Sequence, residues 1–122
     1  MILYDIFFYR DKDGNEPVYE YLKELRKKND KDSRIKSTKI LDYIEVLRRH
    51  GKSAGEPYIK HLEDDIWEVR PLRDRILFAA WVNNSFVLLH HFVKKTQKTP
   101  RREIVKAKRL LADFKERMKY HE

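Results

Sequence analysis

The chain contains no cysteine. A disulfide scaffold, a thiolate nucleophile, an iron–sulfur centre and a thiolate zinc site are therefore excluded. Glycine is nearly as scarce, with three in 122 residues, and proline occurs four times. Neither GxxxxGK[ST] nor GxGxxG is present, so no glycine-rich loop is available to cradle a phosphate. GxSxG is missing too, and with it the strained turn that exposes a serine for acyl transfer. The five histidines form no HxH or HxxxH pair, and neither a metal nor a cofactor is expected. No apolar run approaches the roughly 18 residues that span a bilayer. The first five residues lack a basic stretch leading into an apolar one. No secretory leader is expected, and the expected compartment is the cytoplasm.

What is present is a core and an uneven charge. The chain is 41% hydrophobic and 12% aromatic, too apolar for disorder despite 39% charged residues. Its length suits one domain over residues 1–122. The formal charge is +8. Residues 1–65 hold 14 Lys/Arg and 14 Asp/Glu, whereas residues 66–122 hold 14 and 6, which is the whole excess. Residues 94–109 carry eight bases and a single acid, Glu103. This asymmetry points to a polyanion or an acidic partner for the C-terminal half, with a solvated basic helix face as the plain alternative. A membrane surface fits less well, because the basic segment lacks a large apolar face.

The periodicity changes along the chain. Residues 2–10, rich in β-branched and aromatic types, read as a strand, and DKDGN as a turn. Glu16-Pro17 opens a helix with Val18, Tyr21, Leu22 and Leu25 on one face. Asp32 or Ser33 is placed to cap a second helix that runs to His50 and stops at Gly51. Residues 66–70, 75–82 and 85–93 read as a three-stranded meander, with Asn83-Asn84 as the turn. Pro100 starts a last helix with Ile104, Ala107, Leu111, Phe114 and Met118 at helical spacing. The expected order is β-α-α-β-β-β-α, an α+β fold with helices packed on a sheet.

Three features carry chemistry. In IWEVR, strand alternation puts Glu68 and Arg70 on one face, roughly 7 Å apart. They suit a structural ion pair or half of a catalytic site. Arg70, Arg73 and Arg75 fall within six residues around one turn. Clustered cations repel, and the planar fork of Arg matches two phosphate oxygens at once. The segment KKTQKTP, residues 94–100, projects three lysines and two hydroxyls between a strand and a helix start. It reads as a phosphate or nucleic-acid site, or as a solubilising loop. His90 and His91 point to opposite faces of their strand, and a lone sheet histidine is more often a satisfied core or surface group than a ligand.

The stretches IWEVR…RDRILFAA, VLLHHFVKKTQKTPRREI and AKRLLADFKER resemble the phage-derived, HigB-like branch of the RelE/HigB toxin superfamily. HFVKKTQKTP is the most specific part, and the resemblance covers nearly the whole chain. It implies the RelE-like fold, with an antiparallel-rich sheet. It also implies the toxin of a type II toxin–antitoxin pair, an mRNA interferase that cuts ribosome-bound mRNA and arrests translation. The implied partners are the ribosome, mRNA and a HigA-like helix-turn-helix antitoxin, with operator DNA met only through that antitoxin. No membrane partner and no cofactor are implied.

The implied reaction is metal-independent attack of the RNA 2′-OH on the adjacent phosphate. It needs a proton acceptor, cations for the developing charge and an acid for the leaving oxygen. By position the resemblance assigns Arg70, Arg75, Lys95 and Lys98 to the catalytic site, with Glu68 as the candidate proton acceptor. Arg73, Lys94, Arg101 and Arg102 are expected to bind RNA phosphates. The chain departs from the family where RelE toxins often place a catalytic tyrosine, since Tyr120 alone follows Tyr58. A lysine or His90 then has to supply the missing proton chemistry. Two other readings stand beside this one: a non-catalytic binder of RNA or ribosome, and an inactive toxin relative. Glu68 beside the arginines separates them, because a carboxylate repels phosphate and serves only chemistry. An antitoxin is expected on the helices of residues 16–50, or on the basic site itself.

Overall fold

Apolar stripes on the helices and apolar strands require a layered arrangement. In the computed structural model, which describes residues 3–119, that arrangement is a five-stranded sheet covered by helices on both faces. The elements are β1 (Asp5–Phe8), α1 (Pro17–Lys27), α2 (Lys31–His50), β2 (Ile59–Glu63), β3 (Ile66–Val69), β4 (Asp74–Trp81), β5 (Ser85–Val93) and α3 (Arg101–Met118). The strand order is β1-β5-β4-β3-β2, with β1 parallel to β5 and the other pairs antiparallel. The α+β class and the RelE-like order of helices around a meander are as expected. Among the described residues no helix is long and apolar enough to cross a membrane.

Four boundaries differ from the reading of the sequence. The first strand is confined to Asp5–Phe8, and Ile2 lies outside the described residues. The cap of α2 is Asp30, whose carboxylate accepts from Ser33 N at 2.9 Å, not Asp32 or Ser33. The meander has four strands, not three, because β2 pairs with β3. The strand expected over 75–82 begins one residue earlier, at Asp74. The β4–β5 turn is the expected one, with φ of 59° at Asn83 and 55° at Asn84, the doubly left-handed backbone of a tight hairpin.

Alternation along the strands builds two cores. Val69, Ile76, Phe78 and Leu88 pack against Leu22 of α1 and Ile40, Ile44 and Leu47 of α2. Ile66, Leu77, Ala79, Val87 and Leu89 pack against Ala107, Leu110, Leu111 and Phe114 of α3. Full burial of one such large side chain contributes about 1.5–3 kcal/mol. One irregularity in β5 decides where its two histidines point. Leu77 pairs with His90 and Phe78 with Leu88, so Leu89 is an extra residue in β5. The bulge shifts the alternation beyond it. His90 therefore faces α3, and His91 faces α1, where its ring stacks on Tyr21 at 3.6 Å.

Candidate functional site

The end of β3, the start of β4 and the end of β5 come together at one edge of the α3 face. The residue 94–100 loop and the start of α3 close over them. Between them lies a cleft of about 220 Å³ lined by Glu68, Arg70, Arg75, Lys94, Lys98 and Thr99, together with Lys60 and Gln97. The β3–β4 register explains why. Glu68 pairs with Leu77 and Val69 with Ile76, so Arg70 and Arg75 face each other next at the turn end of the hairpin.

Arg75 is the least ordinary of these residues. It is 5% exposed, yet its Nε has no partner. Its Nη1 donates to the carbonyls of Leu72 and Asp74, both at 2.9 Å. Burial pushes its pKa down, while the charge of Glu68 opposes that shift. A desolvated guanidinium with a free donor is costly unless an anion completes it. Arg70 is better compensated: Nη1 donates to Glu56 at 2.8 Å, and its Nε lies 3.4 Å from Glu68 Oε2, buried and without a hydrogen bond. Glu68 itself is 3% exposed, and its Oε1 accepts from the Thr99 hydroxyl at 2.6 Å.

The other residues singled out in the sequence are spread over two neighbouring grooves. Arg73 and Lys95 line a groove of about 430 Å³ with Leu72, Arg75 and Lys94. Lys95 and Lys98 line a wider one of about 1060 Å³ with Arg101 and Arg102. Lys95 is thus next to the cleft rather than in it. Arg101 is bound to Glu63 of β2 and is not a free cation. Tyr120 lies outside the described residues.

Behind the cleft, on the α1/α2 face, Asp74 is almost wholly buried. Its Oδ1 accepts from Tyr21 at 2.7 Å and from His91 at 2.9 Å, with Lys36 Nζ at 3.7 Å. Burial raises its pKa, but the bonds from His91 and Tyr21 and the charge of Lys36 outweigh it, and the net direction is down. This network anchors the turn that carries Arg73 and Arg75. His90 lies against α3, in a groove it shares with Tyr9, Asp13 and Lys106, its Nε2 3.0 Å from Glu103 Oε1. Burial lowers its pKa against the opposing bond to Glu103. Among the described residues no group of three or more His, Asp or Glu side chains is placed to hold a metal ion.

Sequence reasoning missed Lys60 and Glu56 as parts of the site, and it gave Thr99 no role beyond being one of the two hydroxyls of the 94–100 loop. Lys60 was invisible because β2 was not recognised; the register sets it directly opposite Glu68. Glu56 precedes β2 and carries no local pattern. Thr99 had a signal, as a hydroxyl next to the proline that begins a basic helix. A family model described as "Phage derived protein Gp49-like (DUF891)" matches residues 20–112, a span from α1 into α3 that includes the whole cleft. No curated protein matches the chain.

Proposed function

The chain belongs to the Gp49-like family of phage-derived proteins, a RelE/ParE-type toxin-like family, and from that premise we propose that it is the toxin of a toxin–antitoxin pair acting as a metal-independent endoribonuclease on translated mRNA. The observation that carries this reading is Arg75. A guanidinium 5% exposed with an unpartnered Nε, at the wall of a cleft shared with Arg70, Lys94 and Lys98, is built to take an anion. RNA supplies that anion as a phosphodiester. Arg75 and Arg70 grip the phosphate, and Lys94 and Lys98 offset the charge that develops as the 2′-oxygen attacks. Glu68 accepts the proton, and the products are a 2′,3′-cyclic phosphate and a 5′-OH. Lys95, Arg73 and Arg102 track the flanking strand. The partner that restrains the activity is a HigA-like antitoxin encoded as its pair, and the site of action is the ribosome in the cytoplasm.

The test is induction of the chain in a bacterial host, with growth followed and mRNA 5′ ends mapped beside Arg70→Ala. The expected result is growth arrest with new mRNA ends, both lost in the variant. Normal growth with intact mRNA from folded protein overturns the nuclease reading. In that case salt-sensitive RNA binding by the same protein identifies a non-catalytic binder.

A further inference from the structure

We propose that Thr99 is a catalytic residue whose hydroxyl relays the proton of the attacking 2′-OH to Glu68; the inference rests on the endoribonuclease reading above. Three observations carry it. Glu68 is 3% exposed, so little of its carboxylate is left open to a substrate hydroxyl. Its Oε1 is occupied by Thr99 Oγ1 at 2.6 Å, across 31 positions of sequence. Thr99 is half-buried and lines both the cleft and the wide groove beside it, whereas Glu68 lines the cleft alone. A strand entering from the groove therefore meets the hydroxyl before the carboxylate. On the far side of Glu68, Oε2 lies 3.4 Å from Arg70 Nε, which holds the acid in place without blocking Oε1.

A hydroxyl can accept one proton while donating another. In the step, the O2′–H bond breaks and its proton goes to Thr99 Oγ1. Thr99's own proton passes at the same time to Glu68 Oε1. The O2′–P bond forms, and the P–O5′ bond breaks with its electron pair on O5′. That oxygen takes a proton from water, and Glu68 then gives its proton to the hydroxide so formed. Thr99 ends unchanged, and no oxidant, reductant or other reactant is needed.

The test uses the full chain and an mRNA held on programmed ribosomes with an empty A site, under single-turnover conditions. Thr99→Val is expected to slow cleavage about 100-fold, in the usual range for loss of acid–base assistance, with the half-saturating protein concentration unchanged. Thr99→Ser, which keeps the hydroxyl, is expected within a few-fold of wild type. Thr99→Val combined with Glu68→Gln is expected to be no slower than Glu68→Gln alone, as for groups acting in one unit. A purely positioning role for Thr99 passes those tests, so the deciding readout is the wild-type rate in mixed H2O and D2O. A relay moves two protons on the acceptor side and gives a curved dependence on deuterium fraction. A linear dependence overturns the relay, as does wild-type cleavage by Thr99→Val. A folded wild-type chain that cleaves nothing overturns the endoribonuclease reading itself, and no variant is needed to see that outcome.

Discussion

Arg75 holds its charge almost out of reach of solvent, and the two consequences oppose each other. A buried cation with an unpartnered donor costs stability, and the same donor is what a phosphate oxygen needs. Arg75→Met replaces it with an apolar chain of similar reach. Thermal melting is expected at or above the wild-type temperature, while cleavage falls at least about 100-fold, as when one preorganised donor is removed from an oxyanion site. A melting point well below wild type together with retained cleavage would falsify the assignment of Arg75 to the anion. His90 gives a second prediction at this scale. Its folded pKa lies below the ordinary 6.5 because burial disfavours the imidazolium. The fold then binds fewer protons than the unfolded chain, so this contribution is present above 6.5 and is lost as pH falls below it. Melting followed from pH 7.5 to 5.5 should show a flatter decline for His90→Gln than for wild type. Much of the cleft was legible residue by residue: Glu68 and Arg70 from strand alternation, Arg73 and Arg75 from their density at one turn, Lys94 and Lys98 from the loop. Burial was not legible, and it is burial that separates Arg75 from the exposed Arg73.

Elements with a strong period were found, and those without one were not. The stripes of α1, α2 and α3 and the apolar runs of β4 and β5 match the structure within a few residues. β2 escaped because IKHLE is an edge strand with Lys60 and His61 exposed, and an edge strand carries charge where a central one carries apolar residues. The bulge at Leu89 escaped for a different reason. It is set by pairing with β4 and leaves no mark in β5 itself. Gly51, in contrast, was correctly read as the stop of α2, and the structure adds why only glycine serves. Its φ is 59°, and an added Cβ would come within 2.6 Å of the Tyr4 ring. The Tyr4 amide is fixed in turn by the Arg48 carbonyl at 2.8 Å, so the ring cannot easily retreat. Gly51→Ala combines left-handed strain with overpacking and is expected to cost about 2–4 kcal/mol, read from urea unfolding at unchanged slope. A loss under about 0.5 kcal/mol would mean that Tyr4 moves freely.

The whole molecule carries +8, but several of the C-terminal cations are already engaged within the fold. Lys108 is held by Glu63 and Asp64, Arg101 by Glu63, Lys115 approaches Asp65, and Arg117 is held by Asp113. The pairs with Glu63, Asp64 and Asp65 draw the basic face of α3 against the acidic β2–β3 turn, while Arg117 and Asp113 pair within α3. The cations that line the cleft are Lys60, Arg70, Arg75, Lys94 and Lys98, of which Arg70 is itself paired with Glu56. The distinction has a quantitative signature, because each phosphate neutralised on a single strand adds about −0.7 to the slope of log affinity against log salt. Five cleft cations give a slope of about −3.5, whereas full engagement of the eight bases in residues 94–109 would give about −6. Anisotropy of a labelled RNA oligomer, 2′-O-methylated so that it cannot be cut, measures the slope directly. Lys98→Ala is expected to flatten it by about 0.7 units, and Lys108→Ala, which removes a cation held by Glu63 and Asp64, to leave it unchanged although both remove one formal charge. Equal flattening by the two would show that RNA reads the net charge of the domain. A difference confined to Lys98 would show that the fold has balanced cations such as Lys108 internally and turned one cationic cleft toward RNA at the end of the sheet.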